Sequence, residues 1–291
     1  PWFYLVPAAA VVAIETIRGT IPWGGFSWGL LAYSQLDGPL VNLATLGGQD
    51  LVSGAVVACA AAIVKFLKQR NLSAPFVIVV LLLVSRGVDT MQSMQTVTLA
   101  AIQGNVPRVG NELSTQRAAV LNNHLEVTQQ LLTDIADKKV AQPDLIVWPE
   151  SGTDIDPLQP GLAADEITDL VSATDIPVLI GATTWGSADG SKSSGPRNAG
   201  ILWQRDSGPG EMYFKNHLVP FGEYIPLRDF IARYVSRFDQ IPSDFIAGTE
   251  PGVFKVGKSK IGDVICFEVA YSDRIQKTVA AGAQVMVVQT N

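Results

Sequence analysis

Charged residues are distributed very unevenly along this chain, and that distribution is its strongest structural constraint. Residues 1–94 carry only nine charged side chains, although the 291 residues include 21 Lys and Arg and 27 Asp and Glu. A soluble domain normally has about 25% charged residues, so this first part has too few to cover a water-facing surface. We therefore expect two domains, a membrane region over residues 1–94 and a globular domain over residues 95–291.

Three apolar stretches in the first part, at residues 1–14, 43–64 and 73–85, are candidate transmembrane helices. The third is shorter than the roughly 20 residues that cross a bilayer, and taken alone it could be a buried parallel strand. Three apolar stretches so close together favour membrane helices. The chain starts inside the first stretch and stops after a strand-like run, so we expect a fragment with material missing at both ends.

The charges between the second and third stretches predict the orientation. Lys65, Lys68 and Arg70 form a basic loop, and such loops mark the cytoplasmic side of a membrane. The following span would carry the chain outward. This predicts a multi-pass protein of the cytoplasmic (inner) membrane whose residues 95–291 are extracytoplasmic. Residues 20–36 would lie on the same outer side, where their aromatic rings suit the headgroup boundary.

The second part of the chain alternates between strand-like and helix-like segments. Strands are predicted at residues 96–103, 144–148, 177–183, 198–203, 212–215, 261–266 and 283–289, with a turn at 207–210. Helices are predicted at residues 116–137, 162–174 and 272–281. This alternation indicates an α/β domain with a largely buried sheet.

Composition excludes several classes of function. The net charge of −6 gives no basic face for nucleic acid. Cys59 and Cys266 form no disulfide framework, and Cys59, inside an apolar run, is expected to be a small membrane-embedded residue. The two His and two Cys lie too far apart for a metal site, and no cofactor is expected. We expect His124 to be solvated on a polar helix face and His217 to be structural.

Three candidate functional residues stand at the ends of predicted strands: Glu150, Lys215 and Cys266. Each alone could be ordinary, as a capping acid, a surface charge and a buried cysteine. Together a carboxylate, an ammonium and a thiol are a complete set for nucleophilic acyl transfer. The carboxylate takes the thiol proton, the thiolate attacks a carbonyl, and the ammonium stabilises the oxyanion.

The segments around these residues carry a specific resemblance. Ile-Val-Trp-Pro-Glu-Ser at 146–151, the run at 215–227 and Ile-Cys-Phe-Glu at 265–268 resemble the nitrilase (carbon–nitrogen hydrolase) superfamily with its Glu-Lys-Cys triad. Pro-Phe-Gly-Glu-Tyr-Ile-Pro at 220–226 and Gln-Gly-Asn-Val-Pro at 103–107 are similar to its membrane branch, the apolipoprotein N-acyltransferase family. The apolar region ahead of the globular domain is similar to that branch too.

This resemblance implies a fold and a reaction. The fold would be a nitrilase-like αββα sandwich, preceded by transmembrane helices, with its site in a cavity facing the membrane. In the implied reaction, a phospholipid donates an acyl chain to the cysteine, which gives a thioester. The α-amino group of a diacylglyceryl-modified N-terminal cysteine of a lipoprotein then takes the acyl chain as an amide. The implied partners are therefore the phospholipid donor, the lipoprotein acceptor and the membrane.

The resemblance also implies residue roles. Glu150 would be the general base, Lys215 the oxyanion stabiliser and Cys266 the nucleophile. Glu223 and Glu268 match two further acids, which are expected to hold Lys215 and orient the site. The candidates for substrate binding are Phe221, Tyr224 and Phe267.

The sequence departs from the family pattern at two positions, and two alternative functions remain open. Phe267 stands where many family members have Tyr, and the loop after Asn105 lacks a Trp that some members use for lipid contact. A membrane-tethered nitrilase or amidase that hydrolyses a small amide is a second enzyme hypothesis. A non-catalytic lipid-binding or scaffold protein is a third hypothesis, against which the intact triad argues.

Overall fold

The computed structural model describes residues 2–88, 96–105, 113–186, 195–231 and 243–291. The loop expected to lack a lipid-contacting Trp falls largely outside these ranges, as do residues 187–194. The chain divides into two compact units, residues 1–95 and 96–291, and each is described by itself.

The first unit is built from three apolar helices: α1 (Trp2–Thr20), α2 (Ala44–Gln69) and α3 (Ser73–Gly87). Helix α1, and helix α2 together with the turn that precedes it from Val41, are long and apolar enough to cross a membrane. Helix α3 has 15 residues and therefore a length of about 22 Å, less than the roughly 30 Å of a bilayer core. The prediction of apolar helices ahead of the globular domain is confirmed.

Helices α1 and α2 run antiparallel, because Nζ of Lys65 near the end of α2 lies 5.4 Å from the ring centroid of Phe3 and 4.9 Å from that of Tyr4, at the start of α1. Lys68 lies in the last turn of α2, and Arg70 caps it in the left-handed conformation. The basic residues used to predict the orientation therefore lie at one end of the pair. Cations at a helix C-terminus also interact favourably with the helix dipole.

The segment between α1 and α2 is held by polar groups of both helices. The backbone N–H of Leu31 donates to Oε1 of Glu15 at 2.8 Å, and that of Ala32 donates to Oγ of Ser53 at 3.0 Å. Glu15 is buried, and its Oε1 satisfies a backbone donor at the start of a 3₁₀ turn. The aromatic residues expected at the headgroup boundary are Trp23, Phe26 and Trp28, which are exposed, and Tyr33, which is half-buried.

The second unit contains two sheets. The first has the order β1 (Leu99–Ala101), β2 (Leu145–Val147), β3 (Val178–Trp185), β4 (Pro196–Gln204) and β5 (Gly208–Phe214). Its first three strands are parallel and the last two pairings are antiparallel. The second sheet has the order β6 (Gly252–Val256), β7 (Ser259–Ile265) and β8 (Val285–Gln289). The helices are α4 (Leu113–Ala136), α5 (Leu162–Ser172), the short α6 (Arg228–Ile231) and α7 (Ser272–Ala280).

Alternating side chains of the first sheet build two apolar layers. Ile146 and Ile180 face one way and pack in a cluster with Ile167 of α5. Their neighbours Val147 and Leu179 face the other way and pack with residues of the second sheet such as Phe254 and Ile265.

Helix α7 covers the outer face of the second sheet. A Cβ on Gly262 of β7 would stand 2.8 Å from Cγ2 of Thr278 in α7. The layers therefore run helix, sheet, sheet, helix, and the α/β sandwich expected from the sequence is confirmed.

Two local predictions differ from the structure. The turn expected at residues 207–210 lies earlier, and β5 already pairs at Gly208 and Pro209 with β4. Gly208 has φ of +64°, which lets the chain reverse there, and Pro209 is tolerated because β5 is an edge strand. Strand β6 was not predicted, although its alternating burial is the ordinary two-residue strand period.

Candidate active site

Three strand ends bring the candidate functional residues together. Glu150 follows β2 after Trp148 and Pro149, Lys215 comes directly after β5, and Cys266 comes directly after β7. The first two strands belong to one sheet and the third to the other. The packing of the two sheets therefore assembles the site from segments far apart in sequence.

Lys215 is the centre of an ionic cluster. Its Nζ lies 3.2 Å from Oε1 of Glu150 and 3.0 Å from Oε1 of Glu223, and its side chain is only 1% exposed. Burial alone would lower the pKa of Lys215, but the carboxylates of Glu223 and Glu150 outweigh it and raise this pKa above its ordinary value. The ammonium therefore keeps its charge.

Asn198 of β4 is a fourth member of this cluster, and sequence reasoning missed it. Its Nδ2 donates to Oε1 of Glu150 at 2.6 Å and to Oε1 of Glu223 at 3.1 Å. The amide and the ammonium thus hold the same two carboxylate oxygens. The available signal was an amide inside a strand that is buried over residues 196–203, where a polar side chain needs partners.

A turn aims Glu223 into the cluster. Oε2 of Glu223 accepts from the backbone N–H of Val219 at 2.8 Å, and the N–H of Phe221 donates to the carbonyl oxygen of Tyr224 at 2.7 Å. Phe221 has φ of +62°. Its side chain is 40% exposed, and that of Tyr224 is half-buried.

Cys266 opens a 3₁₀ turn (Cys266–Ala270) with φ of +53°. A positive φ is costly for a residue with a Cβ and is typical of functional positions. The thiol forms hydrogen bonds with Glu150 and Thr290. Burial is the largest effect and raises the pKa of Cys266; the hydrogen bond with Thr290 lowers it, the Glu150 carboxylate raises it, and the Lys215 ammonium lowers it. The resting residue is therefore a thiol with a carboxylate positioned to accept its proton.

Glu268 joins the segments that carry Lys215 and Cys266. Its Oε1 accepts from the N–H groups of Asn216 and His217 at 2.8 and 2.9 Å. Its Oε2 accepts from Tyr213 Oη at 2.7 Å and from the N–H of Ile265 at 2.9 Å. Of the two proposed supporting acids, Glu223 contacts the ammonium of Lys215. Glu268 instead orients the backbone on both sides.

His217 and Phe267 belong to an aromatic cluster beside the Cys266 turn. The His217 ring stacks on Tyr271 with centroids 3.6 Å apart, and Phe267 meets Tyr271 edge-on at 5.2 Å. Burial lowers the pKa of His217, which favours the neutral ring. Phe267 therefore packs against neighbouring rings at a position adjacent to the candidate nucleophile.

The expectation that His124 is solvated on a polar helix face is wrong. This residue is 2% exposed, its Nδ1 lies 2.8 Å from the carbonyl oxygen of Val120, and its ring lies 5.5 Å from that of Trp148. The side of α4 that carries His124 and Thr128 faces the sheet, where Thr128 accepts a hydrogen bond from Trp148 Nε1 at 3.0 Å. Residue polarity alone indicated a solvated face, but tertiary packing decided otherwise.

A cavity of about 360 Å³ lies beside Glu150 and is bordered by His124, Trp148 and Thr290. Within the described ranges, no group of three or more His, Cys, Asp or Glu side chains could hold a metal ion. Chemically, the site places a carboxylate next to both a cation and a thiol, and of these three groups Glu150 borders the cavity.

Two family models match this chain. Residues 98–291 match the carbon–nitrogen hydrolase family model, and residues 1–62 match that of the apolipoprotein N-acyltransferase N-terminal domain. The chain belongs to the carbon–nitrogen hydrolase family.

Curated relatives are named apolipoprotein N-acyltransferase. The protein from Mycolicibacterium smegmatis is 37% identical over 89% of this chain and 48% of its own length. That from Azotobacter vinelandii is 32% identical over 91% of this chain and 51% of its own length. The chain therefore spans about half the length of the curated relatives it matches.

The similarity to solved structures is more distant. An amidase from Nesterenkonia sp. has a TM-score of 0.44 and 16% identity, covering 67% of this chain and 64% of the amidase. The glutamine-dependent NAD+ synthetase from Acinetobacter baumannii has a TM-score of 0.44 and 17% identity, covering 67% of this chain and 32% of that protein. Similarity at this level says nothing about activity.

Proposed function

We propose that this chain carries the acyl-transfer site of an apolipoprotein N-acyltransferase. The site would move an acyl chain from a phospholipid to the α-amino group of a diacylglyceryl-modified N-terminal cysteine. The observation that carries the proposal is the meeting of Glu150, Lys215 and Cys266, with the ammonium 3.2 Å from Glu150. The match of residues 1–62 to the acyltransferase N-terminal domain favours lipid substrates over soluble amides.

In the first half-reaction, Glu150 takes the thiol proton as Cys266 attacks the ester carbonyl of the phospholipid. Negative charge develops on the carbonyl oxygen and is stabilised by the Lys215 ammonium. The tetrahedral intermediate collapses with cleavage of the ester C–O bond. The leaving alkoxide recovers the proton from Glu150, so a lysophospholipid departs and a thioester remains on Cys266.

In the second half-reaction, the free amino group of the lipoprotein attacks the thioester carbonyl. Glu150 accepts a proton from the attacking nitrogen, and Lys215 again faces the oxyanion. Cleavage of the C–S bond releases the amide, and the thiolate regains the proton from Glu150. Glu223 stays paired with Lys215 throughout, which keeps the ammonium charged while the state of Glu150 changes.

The same proposal includes a location. The chain would be a multi-pass protein of the cytoplasmic membrane, with the Lys65–Arg70 end of α2 inside and residues 96–291 outside. The acyl-transfer site would then lie on the same side of the membrane as exported lipoproteins and the outer leaflet. The basic end of the helix pair supports this orientation.

Acylation of Cys266 tests the proposal directly. The purified full chain is incubated with phospholipid in detergent, and its peptides are analysed by mass spectrometry. We expect a mass increase of one acyl group on Cys266, which disappears when a diacylglyceryl lipopeptide is added and the triacylated product forms. Turnover of a small amide without acylation by phospholipid would favour the membrane-tethered amidase. Absence of both reactions would favour the scaffold.

A further inference from the structure

Asp263 of β7 is a buried acid that the proposed reaction does not use. It is fully buried, and among the described residues neither Oδ1 nor Oδ2 has a hydrogen-bond partner. An ionised carboxylate in that position would be strongly disfavoured. Burial raises the pKa of Asp263 well above its ordinary value, and the nearby Glu268 carboxylate adds to this effect.

A second buried acceptor lies beside it. Oε1 of Gln289 also lacks a partner within the part of the chain that is described, and Gln289 is 1% exposed. A Cβ on Gly200 of β4 would stand 2.2 Å from Oδ2 of Asp263 and 2.9 Å from Oε1 of Gln289. The two oxygens therefore both lie close to the α-carbon of Gly200. Because glycine has no side chain, there is space for both.

A single proton on Asp263 would join one carboxyl oxygen to the amide oxygen of Gln289. Two facing acceptors without a donor repel each other, whereas a carboxylic acid can donate its hydroxyl to an amide oxygen. The titratable groups that interact with Asp263 are Glu268 and the Tyr213 phenol. Burial and Glu268 raise the pKa of Tyr213, and its hydroxyl already donates to Glu268 at 2.7 Å. Neither group supplies Asp263 with a positive charge.

Gln289 connects this pair to the candidate active site. Its Nε2 donates to the carbonyl oxygen of Trp148 at 2.7 Å, two residues before Glu150. The next residue along the chain, Thr290, is hydrogen-bonded to the thiol of Cys266. The orientation of the Gln289 amide therefore bears on both the base and the nucleophile.

We propose that Asp263 is a positioning residue, a neutral acid whose hydroxyl donates to Oε1 of Gln289 and so fixes Glu150 and Thr290 around Cys266. This inference rests on the proposed roles of Glu150 and Cys266. Asn at position 263 keeps a donor and cannot ionise, whereas Leu has similar volume and no donor. The two substitutions therefore separate hydrogen bonding from charge and from packing.

The protonation state is tested on the purified full chain by infrared difference spectroscopy. The wild-type spectrum minus that of Asp263→Asn at neutral pH should contain the carbonyl stretch of a protonated carboxylic acid. A carboxylate band in its place would overturn the proposal. This measurement requires no acyl substrate, so its outcome is independent of the proposed function.

The positioning role is tested by the alkylation of Cys266 with iodoacetamide and by acyl transfer. Asp263→Asn should keep the wild-type alkylation rate and kcat within about twofold, whereas Asp263→Leu should lower kcat at least about tenfold with a smaller change in KM. Val264→Ala, on the opposite face of β7, is the control for destabilisation alone. Wild-type kcat in Asp263→Leu, or a loss of kcat in Asp263→Asn as large as that in Asp263→Leu, would refute the positioning role. If the Leu variant does not fold, Gln289→Met removes this bond together with the one to Trp148 and should lower kcat at least as much.

Discussion

Nζ of Lys215 and Oε1 of Glu223 are 3.0 Å apart, in a site where the lysine is 1% exposed. Glu150 approaches the same ammonium at 3.2 Å. Two carboxylates thus share one cation, and the cation remains paired when Glu150 takes up a proton. Lys215 is therefore available as a permanent positive charge at the point where an oxyanion would form.

Lys215→Ala should slow thioester formation by about 10²–10³-fold, because one oxyanion-stabilising group is lost. Lys215→Arg should restore little activity, since a planar guanidinium places its charge differently from a compact ammonium. Single-turnover acylation followed by mass spectrometry measures this rate. Lys277→Ala, which changes an exposed lysine of α7, is the control. Thioester formation at wild-type speed in Lys215→Ala would remove this residue from the mechanism.

Cys266→Ser should abolish acyl transfer while leaving the fold intact. A serine hydroxyl is far less acidic than a thiol, and the neighbouring base is a carboxylate, which activates a hydroxyl poorly. Cys59→Ala, at the other free cysteine, should retain activity. Circular dichroism and product formation are measured on both variants. Substantial turnover by Cys266→Ser would show that the nucleophile lies elsewhere.

The pKa of the Cys266 thiol should respond to its two charged neighbours with opposite signs. The Glu150 carboxylate raises this pKa and the Lys215 ammonium lowers it. Glu150→Gln should therefore move the midpoint of the pH profile for Cys266 alkylation to lower pH, and Lys215→Met should move it to higher pH. The profile is measured with iodoacetamide and peptide mapping. Shifts of the same sign in both variants would contradict this electrostatic arrangement.

Glu268→Gln should destabilise residues 96–291 by about 3 kcal/mol, because the new amide group faces two buried donors. The corresponding fall in Tm is roughly 6–12 °C. Tyr213→Phe, which removes one of the four hydrogen bonds to Glu268, should cost about half as much. Thermal unfolding of the full chain in detergent gives both values. Equal stability of wild type and Glu268→Gln would mean that these four bonds contribute little.

The proposed orientation predicts which cysteines are accessible in whole cells. In a background lacking both native cysteines, a cysteine at Ser193 in the 187–194 segment should react with a membrane-impermeant thiol reagent. One at Gln69, at the end of α2, should react only after the membrane is permeabilised. The reverse pattern would overturn both the topology and the proposed location of the chemistry.

Local patterns were enough to predict most of the strands and the residues at their ends. Apolar runs placed Glu150, Lys215 and Cys266 after β2, β5 and β7, because a polar residue ends each run. The packing of the two sheets against each other could not be predicted from these local patterns. Asn198 acquires its partners only when β4 lies beside the segments that carry Glu150 and Glu223. Asp263 acquires its proposed role only when β7 faces Gly200 of β4, and no sequence spacing encodes these contacts.

His124 illustrates the same limit on a helix. Asn122, Asn123 and Glu126 lie close to it in sequence, and these residue types alone predict a solvated face. Burial against Trp148 depends on which side of the helix meets the sheet. The sequence of a weakly amphipathic helix does not fix which side of the helix faces the sheet. An error of one residue in that assignment is enough to exchange a buried and an exposed side chain.

The four hydrogen bonds of Glu268 go to residues 213–217, which include Lys215, and to Ile265, which precedes Cys266. Because one carboxylate fixes both segments, neither can lengthen by even a single residue without breaking bonds to the other. Insertions should therefore be tolerated in the turn between β4 and β5 or beyond α5 but not here. Diversification of substrate preference in such a protein would have to come from the surrounding loops, while the spacing between its lysine and its cysteine segments stays constant.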